Sequence, residues 1–116
     1  MAMKLINRCA IMVMPAQPFL DWLHRVDPTS ARLSLADLRR EPAIYLLPEC
    51  ESKEEALEGL RGGIRKIFEE QLNGWYRVPS AWPEQRDLQT FRRWFECSFH
   101  SMIFDLARDR LRHEES

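Results

Sequence analysis

Glu96-Cys-Ser-Phe-His-Ser-Met-Ile-Phe-Asp-Leu106 is the stretch whose conformation decides the architecture. Read by twos, Cys97, Phe99 and Ile103 face one way, and Met102, Phe104 and Leu106 the other. Read by a helical period, Phe95, Phe99, Met102, Ile103 and Leu106 also align. Both periods fit, so propensity has to arbitrate. The middle of the stretch contains few strong helix formers and several residues that suit a pleated, half-buried surface. A strand is expected.

Two further strands frame it. Residues 6–14 are almost continuously apolar from Cys9 to Met14, as befits a strand covered on both faces, and Pro15 closes the run. Residues 43–47 form a short apolar run between Pro42 and Pro48. Between the strands lie helical signals. Pro18 suits a first helical position, and Phe19, Leu20, Leu23 and Val26 follow at helical spacing. Ser34 with Asp37 resembles a capping box, and Ser52 with Glu55 is one in its standard form. The helix opened by Ser52 carries Leu57, Leu60, Ile64, Ile67, Phe68 and Leu72 on one face. Gly62-Gly63 interrupts it, so the helix bends there or another backbone packs closely. Asn73-Gly74 is read as its end. Asp87 caps a last helix with Leu88, Phe91, Trp94 and Phe95 on its apolar side. The order is β-α-α-β-α-α-β: an α+β fold, two-layered, with a small three-stranded sheet and about four helices. One domain over 1–107 and a charged, frayed tail over 108–116 are expected.

Composition removes several functions. The chain has 116 residues, 17 basic and 18 acidic side chains, and a formal charge of −1. No basic excess favours nucleic acid. Helices at 18–26 and 34–40 are linked by too long a segment for a helix-turn-helix. The longest apolar run is far short of a membrane span. Three cysteines, Cys9, Cys50 and Cys97, are an odd number without a C-x-x-C pair, which points away from a disulfide framework or zinc site and toward reduced thiols in the cytoplasm. Lys4 and Arg8 precede the first apolar run, but Pro15 cuts it too short for a secretion signal. Four glycines, at 59, 62, 63 and 74, build neither a dinucleotide fingerprint nor a phosphate loop. No cofactor and no metal are expected.

The remaining chemistry is sparse. Ser98 and His100 share a strand face, but neighbours there are about 7 Å apart, too far for the direct hydrogen bond of a nucleophilic pair. His100 would then need a carboxylate from Glu49, Asp21 or Asp105 to act as a general base. Trp75, Tyr76 and Trp82 sit in a loop of about a dozen residues, where they either present a rim to a partner or tie the loop to the core.

Three stretches, Pro18-Phe-Leu-Asp-Trp-Leu23, Tyr45-Leu-Leu-Pro-Glu49 and Phe99-His-Ser-Met-Ile-Phe-Asp-Leu106, resemble small uncharacterised bacterial proteins. That resemblance implies a bacterial cytosolic origin, but no reaction, ligand or catalytic residue. The primary functional expectation is a noncatalytic protein–protein interaction or accessory module. A small sheet with apolar residues on both faces is hard to cover from one side, so a homodimer or another protein partner is expected. The alternative is a small hydrolase-like enzyme built on His100.

Overall fold

Residues 95–100 are extended, as propensity rather than helical period predicts. The computed structural model describes residues 3–114. The elements run β1 (Lys4–Leu5), β2 (Arg8–Pro15), α1 (Gln17–Val26), α2 (Leu35–Leu38), β3 (Ala43–Pro48), α3 (Lys53–Gly59), α4 (Ile64–Trp75), α5 (Leu88–Trp94), β4 (Phe95–His100) and β5 (Phe104–Asp105). The fold is α+β, with five α-helices and two small sheets among the described residues. β2 is the centre of the larger sheet, with β3 and β4 antiparallel on its two sides. β1 and β5 pair by themselves.

Strands occur in all three predicted places, but the third, expected over 96–106, leaves the larger sheet after His100, and 104–105 pair in the separate ribbon instead; two further features differ. The helix expected to run from Ser52 to Leu72 is two helices. α3 ends at Gly59, a tight turn covers Arg61–Gly63, and α4 restarts at Ile64. A side chain placed at Gly62 or Gly63 would meet nothing within 4 Å, so close backbone packing is not the reason for the pair. The break reflects weak helix propensity at two consecutive positions. At the far end, α4 continues through Asn73-Gly74 to Trp75 rather than stopping there. The second difference is the β1–β5 ribbon, which two-residue strands do not announce in a sequence.

Local capping follows the sequence closely. Ser34 and Asp37 satisfy each other's backbone N–H groups, and this bonding holds the Asp37 carboxyl below its usual range. Ser52 Oγ accepts from the Glu55 N–H, while the Glu55 carboxylate bonds the N–H of Glu51. Asp87 accepts from the Thr90 N–H at 2.9 Å. Arg39, just past α2, donates to the Pro15 carbonyl at 2.8 Å and lies 3.4 Å from Glu96. It therefore ties the ends of β2 and β4 together.

One core joins all five helices to the larger sheet. Phe19, Trp22 and Leu23 of α1, Leu57 of α3, Phe68 and Leu72 of α4 and Phe91 of α5 meet Cys9, Ile11, Val13, Leu47 and Phe95. Phe95, the first residue of β4, is the hub of the aromatic packing. Its ring stacks on Phe91 at 4.6 Å and meets Phe68 and Phe19 edge-on at 5.2 and 5.4 Å. Residues 106–114 are exposed and without regular structure. The first two residues of the predicted domain and the last two of the predicted tail lie outside the described residues.

Because Gly62 has open space and an ordinary backbone conformation, Gly62→Ala should stabilise the chain by about 0.4–1 kcal/mol through lower unfolded-state entropy. Urea unfolding monitored by circular dichroism checks this. A destabilised variant would show that the bend needs the glycine itself.

Candidate functional site

A strand sends successive side chains to opposite sides. On β2, Cys9, Ile11 and Val13 enter the core, so Ala10, Met12 and Met14 point away from it. The register sets Ala10 between Leu46 and His100, and Met12 between Ile44 and Ser98. The side away from the core is thus apolar over β3 and β2 and polar along β4. Ile44 is 63% exposed and Leu46 46%.

The ribbon carries further exposed apolar side chains. Ala10 faces His100, but Leu5 faces Phe104, so five steps along one strand match four along the other. The extra residue is a bulge between the two ladders, and the Ile6 N–H bonds the Ile103 carbonyl at 2.9 Å across it. Beyond His100 the chain leaves the larger sheet, and Met102, Phe104 and Leu106 are exposed there. Leu5, the partner of Phe104, and Met3 are exposed as well. All five are exposed, Met102 at 71%. Their alternates Ile103 and Asp105 are only half-exposed. Exposed large apolar side chains thus occur along β3 and along the β1–β5 ribbon.

The predicted site residues fall in three places. Trp75, Tyr76 and Trp82 are half-buried against the core. Trp82 Nε1 donates to the Tyr76 carbonyl at 2.8 Å, and Trp22 Nε1 to the Ala81 carbonyl at 2.9 Å. Tyr76 meets the Trp22 ring edge-on. The loop is held down by two indoles, Trp82 of the loop itself and Trp22 of α1.

His100 lies on the side of the sheet away from the core, and here the sequence-based geometry needs correcting. Ser98 Oγ and His100 Nε2 are 2.8 Å apart. The Cα spacing of about 7 Å is ordinary, but side chains lean along the strand, and the imidazole is long enough to close the gap. The expected carboxylate is absent from the pair. Asp21 is on α1 and accepts from Gln17, Asp105 accepts from the Ala107 N–H, and Glu49 follows β3, beyond the Pro48–Arg8 pair. None of the three bonds His100 among the described residues. Ser98 and His100 are hydrogen-bonded, but among the described residues no carboxylate bonds the ring to orient it.

Other polar features are structural. Tyr45 reaches from β3 to α4, donating to Glu70 at 2.9 Å and accepting from Gln71 at 3.0 Å. Burial pushes its phenol up to about 12. A cleft of about 330 Å³, lined by Lys53, Leu57, Arg92, Phe95, Glu96 and Cys97, contains none of the predicted catalytic residues. Arg92 there is already paired with Glu54 at 2.9 Å. No group of three or more His, Cys, Asp or Glu side chains able to hold a metal ion occurs among the described residues, and no helix among them is long and apolar enough to cross a membrane. No family model, no curated protein and no solved structure matches this chain.

The Ser98–His100 pair lacks an orienting carboxylate, so a fluorophosphonate probe should leave Ser98 unmodified at neutral pH. Intact-mass and peptide analysis reads this directly. Labelling of Ser98 that His100→Ala abolishes would instead establish an activated serine.

Proposed function

We propose that this chain is a noncatalytic interaction module that assembles as a homodimer through the side of the sheet away from its core. The observation that carries the reading is the exposure of Ile44 and Leu46 on the far side of the strands that bury Ile11 and Val13, with Met102 and Phe104 exposed on the chain that follows β4. Each copy contributes a helical layer and a sheet layer, and the two sheets meet face to face at the usual spacing of about 10 Å.

A second copy suits this surface for two reasons. The net charge of −1 sets little overall repulsion against self-association. The charged ends of the surface are also complementary under a two-fold axis. Arg8 lies at the start of β2, and Glu96 pairs with Met14 near its end, roughly 20 Å away at about 3.3 Å per residue. A two-fold axis in the interface, perpendicular to the strands, brings each Arg8 toward the Glu96 end of the other copy.

Size bears on which residues take part. The three strands alone offer roughly 15 by 20 Å, well below the approximately 800 Å² per partner of a stable interface. The β1–β5 ribbon carries further exposed apolar side chains, and in this reading it is part of the contact. Trp75, Tyr76 and Trp82 serve to tie the loop rather than to meet the partner. The alternative, a hydrolase using His100, draws its support from the 2.8 Å contact with Ser98 and is tested by the probe experiment above.

Ile44 and Leu46 are exposed in the single subunit, so replacing both by lysine should change subunit stability by no more than about 0.5 kcal/mol per site. It should nevertheless abolish self-association. Sedimentation equilibrium is expected to give a dimer for the wild type at micromolar concentration and a monomer for the Ile44→Lys, Leu46→Lys variant. A wild-type monomer at about 100 μM, or a variant that still dimerises, would overturn the proposal.

A further inference from the structure

Cys9 and Cys50 are 41 residues apart in sequence and adjacent in space. Cys9 lies on the core side of β2, opposite Leu47 of β3, and is buried. β3 ends at Pro48, and the chain then folds back over the start of β2. Cys9 Sγ donates to the Cys50 carbonyl at 3.1 Å and accepts the Cys50 N–H, also at 3.1 Å. With an N–Cα bond of about 1.46 Å, the Cys9 sulfur is within roughly 4.6 Å of the Cys50 Cα. That separation lies within reach of a disulfide. A cleft of about 220 Å³ opens beside them, lined by Arg8, Cys9, Glu49 and Cys50 among others. Cys50 is half-buried, so it is the thiol that a small solute meets first. Cys97 is set apart, paired with Val13 toward the other end of β2.

We propose that Cys9 and Cys50 form a two-electron redox pair, which hydrogen peroxide converts to an intramolecular disulfide. The Cys50 thiolate attacks one peroxide oxygen, the O–O bond breaks, and the departing hydroxide takes a proton to become water. The resulting sulfenic acid is attacked by the Cys9 sulfur. The S–O bond breaks, the S–S bond forms, and a second water leaves. Two thiols and one peroxide thus become one disulfide and two waters, and a dithiol reductant reverses the change. Partial burial and the neighbouring Cys9 thiol push the Cys50 thiol up to about 11. Little thiolate is present at neutral pH, so the pair responds to sustained oxidant rather than to a brief pulse, and its rate rises about tenfold per pH unit below that value. The bridge would fasten the start of β2 to the segment that leads into α3. This inference does not depend on the dimer.

The test is peroxide treatment of the intact chain, followed by alkylation under denaturing conditions and peptide mass analysis. The expected product has lost two hydrogens, retains one alkylatable thiol at Cys97, and contains a Cys9–Cys50 linked peptide that a dithiol reductant releases. Its thermal midpoint should be higher than that of the reduced chain, and the gain should vanish on reduction. Cys97→Ala should behave as the wild type, while Cys50→Ser should form no intramolecular bridge. Three results would each overturn the proposal: Cys50 carried to sulfinic acid with Cys9 still free, a disulfide only between chains, or both thiols unreacted under conditions that oxidise an exposed model thiol.

Discussion

Alternation along β2 is the constraint from which the rest follows. Each side chain that β2 sends into the core, such as Ile11 or Val13, obliges its neighbour, Ala10 or Met12, to face the other way. Both sets are apolar because the strand is central, paired with β3 on one side and β4 on the other. The helices contribute their apolar faces to one of these sides. The opposite side keeps an apolar character with exposed Ile44 and Leu46 on its edge strand.

The covered side is well supplied. Phe95 stands at the junction of α5 and β4 and touches rings from α1, α4 and α5. Because Phe95 also pairs with Pro15, the same residue sets the end of the β2–β4 ladder and the docking of three helices. Arg39 finishes that end by bonding the Pro15 carbonyl and approaching Glu96. The long loop after α4 is anchored by the indole N–H groups of Trp22 and Trp82. The loop accepts the Trp22 N–H through the Ala81 carbonyl, and Tyr76 and Trp82 pack partly buried against the core.

Much of this was legible in the residues, and the parts that were not have physical reasons. The first two strands of the larger sheet announce themselves through apolar runs and bracketing prolines, whereas the stretch 96–106 fits both periods, and where its strand ends is set by its pairing with β2. The caps at Ser34, Ser52 and Asp87 are local chemistry and read directly. The break at Gly62-Gly63 was visible as an anomaly, but its form depended on whether anything packs there, which is a tertiary fact. The β1–β5 ribbon was illegible because two-residue strands carry no period. The Ser98–His100 contact is not legible because backbone spacing along a strand does not fix side-chain spacing. The proximity of Cys9 to Cys50 is set by the turn after Pro48, and sequence separation says nothing about it.

The central claim is that the apolar side of the sheet away from the core is covered by a second copy. It is tested most directly by nuclear magnetic resonance on a mixture of isotope-labelled and unlabelled chains, filtered for contacts between molecules. Cross-peaks linking the methyl groups of Ile44 and Leu46 to Met12, Met102 or Phe104 of the unlabelled copy are the predicted result. If those methyl groups show no intermolecular cross-peaks at several hundred micromolar, the claim is contradicted.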